Sequence, residues 1–142
     1  MKKLITLLLA IVTVTALAAD FPKGSPAFKH SATSALNAAK KEGKPVILVF
    51  SAAWCPPCQA MKKDVYPSAA VKEYHDKFVW AYLDTDDQSN RRAADKAGVS
   101  GIPHIQFLDS SGKEIHKQVG GTSPESFAKT LKDVLAKAGP KS

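Results

Sequence analysis

Two cysteines three positions apart are the residues of this chain best suited to chemistry. They are the only cysteines present, and they stand in the run Trp54-Cys55-Pro56-Pro57-Cys58. At the start of a helix, such a pair lies on one face and can close a small disulfide, and the helix N-terminus favours the reactive thiolate. A disulfide that closes so short a loop removes little entropy from the unfolded chain. The pair therefore indicates a redox centre rather than a structural crosslink.

A buried strand and a helix are expected to hold the cysteines. Residues 46–50 form a continuous apolar run, which is typical of a strand buried on both faces in an α/β sheet. Residues 54–74 predict a helix, with a break near Pro67, because proline lacks a backbone donor. If Cys55 is the N-cap, Pro56, Pro57 and Cys58 are the first three helical residues, where amides have no intrahelical partner.

The remaining pattern predicts an α/β fold with a central mixed sheet and helices on both faces. Ser31 caps a first helix that ends at Gly43, and Gly98 ends a short polar helix over residues 88–97. Strands are expected over 78–83 and, as a hairpin, over 104–108 and 114–119. Ser123 and Pro124 begin a last helix with a buried stripe. We expect the last strand pair to be antiparallel.

The N-terminus has the pattern of a secretory signal peptide over residues 1–19. A short basic segment precedes an apolar run and a cleavage site of small residues, with cleavage expected after Ala18 or Ala19. The apolar run is short of the ~20 residues that span a bilayer, so a retained anchor is the weaker interpretation. Residues 20–30 are expected to be an irregular lead-in, and residues 31–139 one domain. This predicts a periplasmic protein, or alternatively a secreted one, without stable membrane insertion after cleavage.

Charge and cysteine content narrow the function classes. The formal charge is +7, and loss of Lys2 and Lys3 with the signal peptide would leave +5. The lysines are scattered and form no dense run interleaved with aromatic residues, which argues against a nucleic-acid surface. With one close cysteine pair, the fold must be stabilised by its hydrophobic core.

The cysteine run and a second motif together resemble the thioredoxin-fold family. The second motif is Gly98-Val99-Ser100-Gly101-Ile102-Pro103, followed by the predicted hairpin, two glycines and the last helix. Residues 38–45 resemble the exported thioredoxin-like group that includes the C-terminal domain of DsbD. The resemblance covers residues 35–138.

The resemblance implies roles for the residues around the cysteines. Helix geometry would make Cys55 the exposed attacking thiol, and Cys58, one turn into the helix and more buried, the thiol that resolves the mixed disulfide. Trp54, Pro56, Pro57, Ile102 and Pro103 would form the substrate groove, with Pro103 in the cis form beside the cysteines. The expected clients are proteins with disulfides or dithiols, together with an upstream redox partner and no cofactor.

The sequence departs from the family at Val49. Thioredoxin and the DsbD domain have a buried aspartate at this position, six residues before the first cysteine. In the family this aspartate takes the proton from the buried cysteine. Without it, water or another group must accept that proton, and Lys62 is one candidate. The two prolines also leave Cys58 as the main amide donor to the Cys55 thiolate. Fewer donors stabilise the reduced form less, which predicts a reductant or general exchanger.

Two other functions compete with this prediction. Cys55, Cys58 and His104 could bind a soft metal such as copper or zinc, although three ligands fall short of the usual four for zinc. Alternatively, the domain could be a redox-inert adaptor that binds peptides. We expect His104 to be an ordinary strand residue, and the three other histidines to be structural.

Overall fold

A five-stranded mixed sheet forms the centre of the fold, as the sequence predicts. The computed structural model describes residues 21–139, so the predicted signal peptide lies outside the described residues. The strand order is β1-β3-β2-β4-β5. β1, β3 and β2 are mutually parallel, whereas β4 runs antiparallel to β2 and to β5. The strands are β1 (Phe28–Lys29), β2 (Val46–Ser51), β3 (Val79–Asp84), β4 (His104–Leu108) and β5 (Glu114–Val119).

Helices cover both faces of the sheet. One face carries α1 and α4, and the other carries α2, α3 and α5. The helices are α1 (Ala32–Glu42), α2 (Pro56–Ala60), α3 (Ala69–Lys72), α4 (Arg91–Ala97) and α5 (Pro124–Ala138). In the part of the chain described, no helix is both long enough and apolar enough to cross a membrane.

The central strand β2 supplies side chains to both cores, and all six of its residues are buried. Ile47 and Val49 pack in one cluster with residues 61–65, α3 and α5, whereas Leu48 and Phe50 pack in the other with α1 and α4. This alternation follows from the two-residue period of a strand. The continuous apolar run in the sequence therefore has its physical cause in a strand covered by helices on each side.

The predicted helix over residues 54–74 is interrupted earlier than its proline requires. After α2 the chain makes a single π-helical turn, Met61–Val65, in which the Tyr66 N–H donates to the Met61 carbonyl at 3.1 Å. Pro67 then separates this turn from α3. The break near Pro67 is confirmed, whereas the widened turn before it has no marker in the sequence.

The predicted irregular lead-in contains a strand, which corrects the expectation for residues 20–30. Phe28 and Lys29 pair with Trp80 and Ala81 of β3. The Phe28 ring meets the Trp80 ring edge-on at 5.8 Å between centroids and the Tyr82 ring at 5.5 Å. Aromatic packing of this kind stabilises the short strand at the edge of the sheet.

Candidate active site

The two cysteines form a disulfide at the first turn of α2. Cys55 is the N-cap, and its sulfur accepts a hydrogen bond from the Cys58 N–H at 3.3 Å. Pro56 and Pro57 occupy the first two helical positions, where neither can donate a hydrogen bond. The assignment of Cys55 as N-cap is therefore confirmed, and the helix begins at Pro56 rather than at residue 54. The Cys58 backbone N–H supplies the hydrogen bond to the capping sulfur, as the proline pair implies.

Both cysteines are buried in the disulfide form, which corrects the expectation of an exposed attacking thiol. Cys55 is 3% exposed and Cys58 is 1% exposed. The cover is Ile102, which packs against the small cluster of Ala52 and the two cysteines. The Cys55 sulfur lies 3.7 Å from the Ile102 carbonyl oxygen. Helix geometry alone could not show this cover, because Ile102 belongs to a distant loop.

That loop places the second motif directly beside the disulfide. The Ile102–Pro103 peptide bond is cis, as the family resemblance implies. The Pro103 carbonyl accepts a hydrogen bond from the Gly120 N–H at 2.9 Å. Gly121, the next residue, lies against Pro57, since a Cβ built on Gly121 would be 3.6 Å from the Pro57 Cβ. The cysteine turn, the proline loop and the β5–α5 loop therefore meet at one edge of the sheet.

Trp54 lies on the surface beside the cysteines. It is 67% exposed, so it is not a core residue. Its indole N–H donates to the Asp86 carboxylate at 2.8 Å, and the Asp86 backbone N–H in turn donates to the Asp84 carboxylate at 2.9 Å. Sequence reasoning missed Asp86. A usable signal was present, because β2 and β3 are parallel neighbours and the residues that follow them meet at the same edge.

A pair of buried hydroxyl groups lies in the sheet beneath α2. Val49, at the position of the family's acid, pairs in the sheet with Tyr82. The Tyr82 hydroxyl and the Ser51 hydroxyl lie 2.6 Å apart and share a hydrogen bond. Burial raises the pKa of Tyr82, and the hydrogen bond to Ser51 opposes that effect. Tyr82 therefore keeps its proton at neutral pH.

Lys62 is placed where it cannot readily serve as a proton acceptor. Its ammonium lies 4.6 Å from the centroid of the Phe21 ring and 5.9 Å from that of the Tyr82 ring. Contacts of this type attract the charged form of lysine, which has no lone pair to accept a proton. The geometry therefore favours a structural and electrostatic role for Lys62 over the candidate role as a base.

His104 is buried in β4, with 2% exposure, and faces the Phe50 ring at 5.8 Å between centroids. Neither ring nitrogen has a hydrogen-bond partner among the described residues. Burial lowers the pKa of His104, Lys117 adds to this, and Glu114 opposes it. Within residues 21–139, no three side chains of His, Cys, Asp or Glu come together as metal ligands. The soft-metal alternative therefore gains no support from this geometry.

The model of the thioredoxin-like domain family matches residues 32–135 of this chain. The chain belongs to that family. A thioredoxin from Thermus thermophilus superposes with a TM-score of 0.70 at 27% identity, over 78% of this chain and 88% of that one. A thioredoxin-like protein from Clostridium perfringens, at 23% identity and a TM-score of 0.65, covers 89% of this chain and 91% of its own and shows the same fold.

The curated relatives are longer proteins. The thioredoxin-like protein HCF164, chloroplastic, of Oryza sativa subsp. japonica is 35% identical over 70% of this chain and 36% of its own length. The thiol:disulfide interchange protein DsbD of Pseudoalteromonas atlantica is 31% identical over 70% of this chain and 18% of its own length. The similarity to DsbD noted in the sequence is thereby confirmed. The chain spans about a third or less of these relatives.

Proposed function

We propose that this protein is an exported thiol–disulfide oxidoreductase that uses Cys55 and Cys58 to reduce or exchange disulfides in client proteins. The observation that supports it is the disulfide at the capped start of α2, beside the cis Ile102–Pro103 loop. The relatives named for thiol:disulfide interchange support the same chemistry.

The reaction moves two electrons from the reduced cysteine pair to the client. The Cys55 thiolate attacks a client disulfide, forms a mixed disulfide and releases one client thiolate, which takes up a proton. The Cys58 thiol loses its proton, and its thiolate attacks the Cys55 sulfur. The second client thiolate leaves and is protonated, so the client is reduced and the Cys55–Cys58 disulfide is formed. An upstream dithiol partner then reduces this disulfide and completes the cycle.

The direction of electron transfer is inferred from the number of backbone N–H groups that can donate hydrogen bonds to Cys55 at the start of α2. A cysteine at a helix N-terminus is normally stabilised as the thiolate by nearby amides and by the helix dipole. Here the Cys58 N–H bonds to the Cys55 sulfur, and Pro56 and Pro57 have no N–H to add. A less stabilised thiolate makes the disulfide form relatively more stable, so the pair acts as a reductant or general exchanger. A potential near about −120 mV, typical of a strong oxidant, would contradict this direction.

The site residues proposed for client binding surround Cys55. Trp54 offers an exposed aromatic face, and Ile102, held by the cis bond to Pro103, offers backbone to an extended client segment, a form of strand addition. Pro56 and Pro57 complete this groove. Export to the periplasm, or secretion, is proposed from the signal-peptide pattern at residues 1–19.

Reduction of insulin disulfides by dithiothreitol tests the activity. We expect the wild-type protein to accelerate the reaction and a Cys55→Ser variant to lose the acceleration. A Cys58→Ser variant should retain clients as mixed disulfides through Cys55, which mass spectrometry would identify. Equal rates for the wild type and Cys55→Ser would instead support the redox-inert adaptor. Metal analysis of protein purified without added metal tests the soft-metal alternative.

A further inference from the structure

A pocket of about 220 Å³ lies beside the cysteine turn. It is bounded on one side by α2 with the π-helical turn, and on the other by the β5–α5 loop with the first turn of α5. We call it the α2–α5 pocket. Its apolar lining is Pro57, Ala60, Met61, Val65 and Pro124.

The pocket adjoins the cysteine turn and the β5–α5 loop. Pro57 lines it and lies between the two cysteines in sequence. Gly121 also lines it and follows Gly120, whose N–H is bonded to the Pro103 carbonyl. The β5–α5 loop therefore joins the cis-proline loop to this pocket. A client segment bound on the cis-proline loop would have the pocket beside it.

The walls of the pocket are fixed by contacts across it. The Thr122 N–H donates to the Met61 sulfur at 3.4 Å, which ties the β5–α5 loop to the π-helical turn. Met61 is 1% exposed and belongs to the main hydrophobic core. The pocket thus has a floor anchored in the core.

The charge of the pocket is opposite to that of the whole chain. The formal charge of the sequence is +7, yet among the described residues that line the pocket the one charged residue is Asp64, and it is exposed. Within residues 21–139, no lysine, arginine or histidine lines the pocket. The neighbouring Lys62 is directed to the rings of Phe21 and Tyr82 instead.

We propose that the α2–α5 pocket binds a lysine or arginine side chain of the client segment that carries the disulfide. The aliphatic stem of such a side chain suits the apolar lining, and its cationic end suits the Asp64 carboxylate. The pocket would then select clients with a basic residue at a fixed distance from the reacting cysteine. This inference rests on the proposed oxidoreductase function and names its substrate class.

Peptide disulfides that differ at one position test the proposal. The substrates are disulfide-linked dimers of short peptides. In each dimer, one position near the cysteine carries lysine, norleucine, glutamate or glycine, and kcat/KM for its reduction is measured. We expect one position at which lysine exceeds norleucine by about two- to fivefold, the range given by an exposed ion pair. Glutamate should be slowest there, and added salt should reduce the preference for lysine.

Two variants and a matched control assign the preference to the pocket. Asp64→Asn should bring the lysine peptide down to the rate of the norleucine peptide. Asp95→Asn makes the same change of charge on an exposed residue of α4 and should leave the preference intact. Gly121→Val, at a site without positive φ, should narrow the opening of the pocket beside Pro57. The rates for the lysine and norleucine peptides should then both fall toward the rate for the glycine peptide.

Hydroxyethyl disulfide, which has no side chains, separates the two possible failures. If the wild type reduces it but treats all peptides alike, or if Asp64→Asn keeps the lysine preference, the pocket proposal is wrong and the proposed function stands. If the wild type reduces neither hydroxyethyl disulfide nor insulin, the oxidoreductase function itself fails, and the pocket proposal fails with it.

Discussion

Restoring one amide hydrogen at the helix start should change the redox properties of the cysteine pair. Helix N-caps accept hydrogen bonds from the second or third helical residue. Here the third residue, Cys58, donates to the Cys55 sulfur at 3.3 Å, whereas the second, Pro57, cannot donate. A Pro57→Ala variant supplies this second donor. The added bond should favour the Cys55 thiolate and make the disulfide easier to reduce.

The expected magnitude follows from the worth of a hydrogen bond to a charged group, about 1.5–3 kcal/mol. At 1.36 kcal/mol for each pH unit, the pKa of the Cys55 thiol should fall by about one to two in Pro57→Ala. Where Cys55 is ionised, the same free energy should make the reduction potential about 30–60 mV less negative, because 30 mV corresponds to about 1.4 kcal/mol for two electrons.

Ultraviolet absorbance of the thiolate gives the pKa, and equilibration with glutathione buffers gives the potential. Pro56→Ala is the matched control. It also removes one proline, but it places the new N–H at the first helical position, which is not the usual donor to an N-cap side chain. The number of amide donors would not set the redox direction if Pro57→Ala changed neither the pKa nor the potential. The same conclusion would follow if Pro56→Ala changed both by as much as Pro57→Ala.

Two further predictions concern buried polar groups. Because burial lowers the pKa of His104, the unfolded chain takes up a proton at higher pH than the folded protein. Stability should therefore fall as the pH drops below about 6.5, and urea unfolding should show a weaker pH dependence in His104→Leu than in the wild type. Tyr82→Phe should cost about 1–3 kcal/mol in urea unfolding, because the Ser51 hydroxyl loses its buried partner. Adding Ser51→Ala should recover part of that loss, and a fully additive loss would contradict the predicted coupling.

The sequence predicted the elements whose signals are local. The hairpin strands over residues 104–108 and 114–119 agree with β4 and β5, because the turn between them is encoded by its own residues. The Asp109 carboxylate accepts hydrogen bonds from the Ser111 N–H and from the Lys113 N–H. The start of α2 was predicted for the same reason, since its capping cysteine and its prolines are adjacent in the sequence.

What could not be predicted depends on contacts between distant parts of the chain. Strand β1 has two residues, too few for a periodic pattern, and it forms because Phe28 packs on aromatic residues of β3. The burial of Cys55 depends on Ile102, 47 positions away. The Trp54–Asp86 bond and the contact of Gly121 with Pro57 likewise join separate segments. Local patterns therefore identified the reacting atoms, while long-range packing decides what a client meets around them.

The surroundings of Cys58 also change how its proton must leave. The family's acid is replaced by Val49, and the nearby Tyr82 keeps its phenolic proton because burial raises its pKa. The Lys62 ammonium, four residues beyond Cys58, lies over aromatic rings. Neither Val49 nor the protonated Tyr82 can accept a proton at neutral pH, so we expect the Cys58 proton to pass to water or to the first departing client thiolate. The absence of a carboxylate at position 49 also removes a negative charge that would disfavour the Cys58 thiolate. We therefore expect the second step to depend on stabilisation of the Cys58 thiolate rather than on proton transfer to a side chain at position 49.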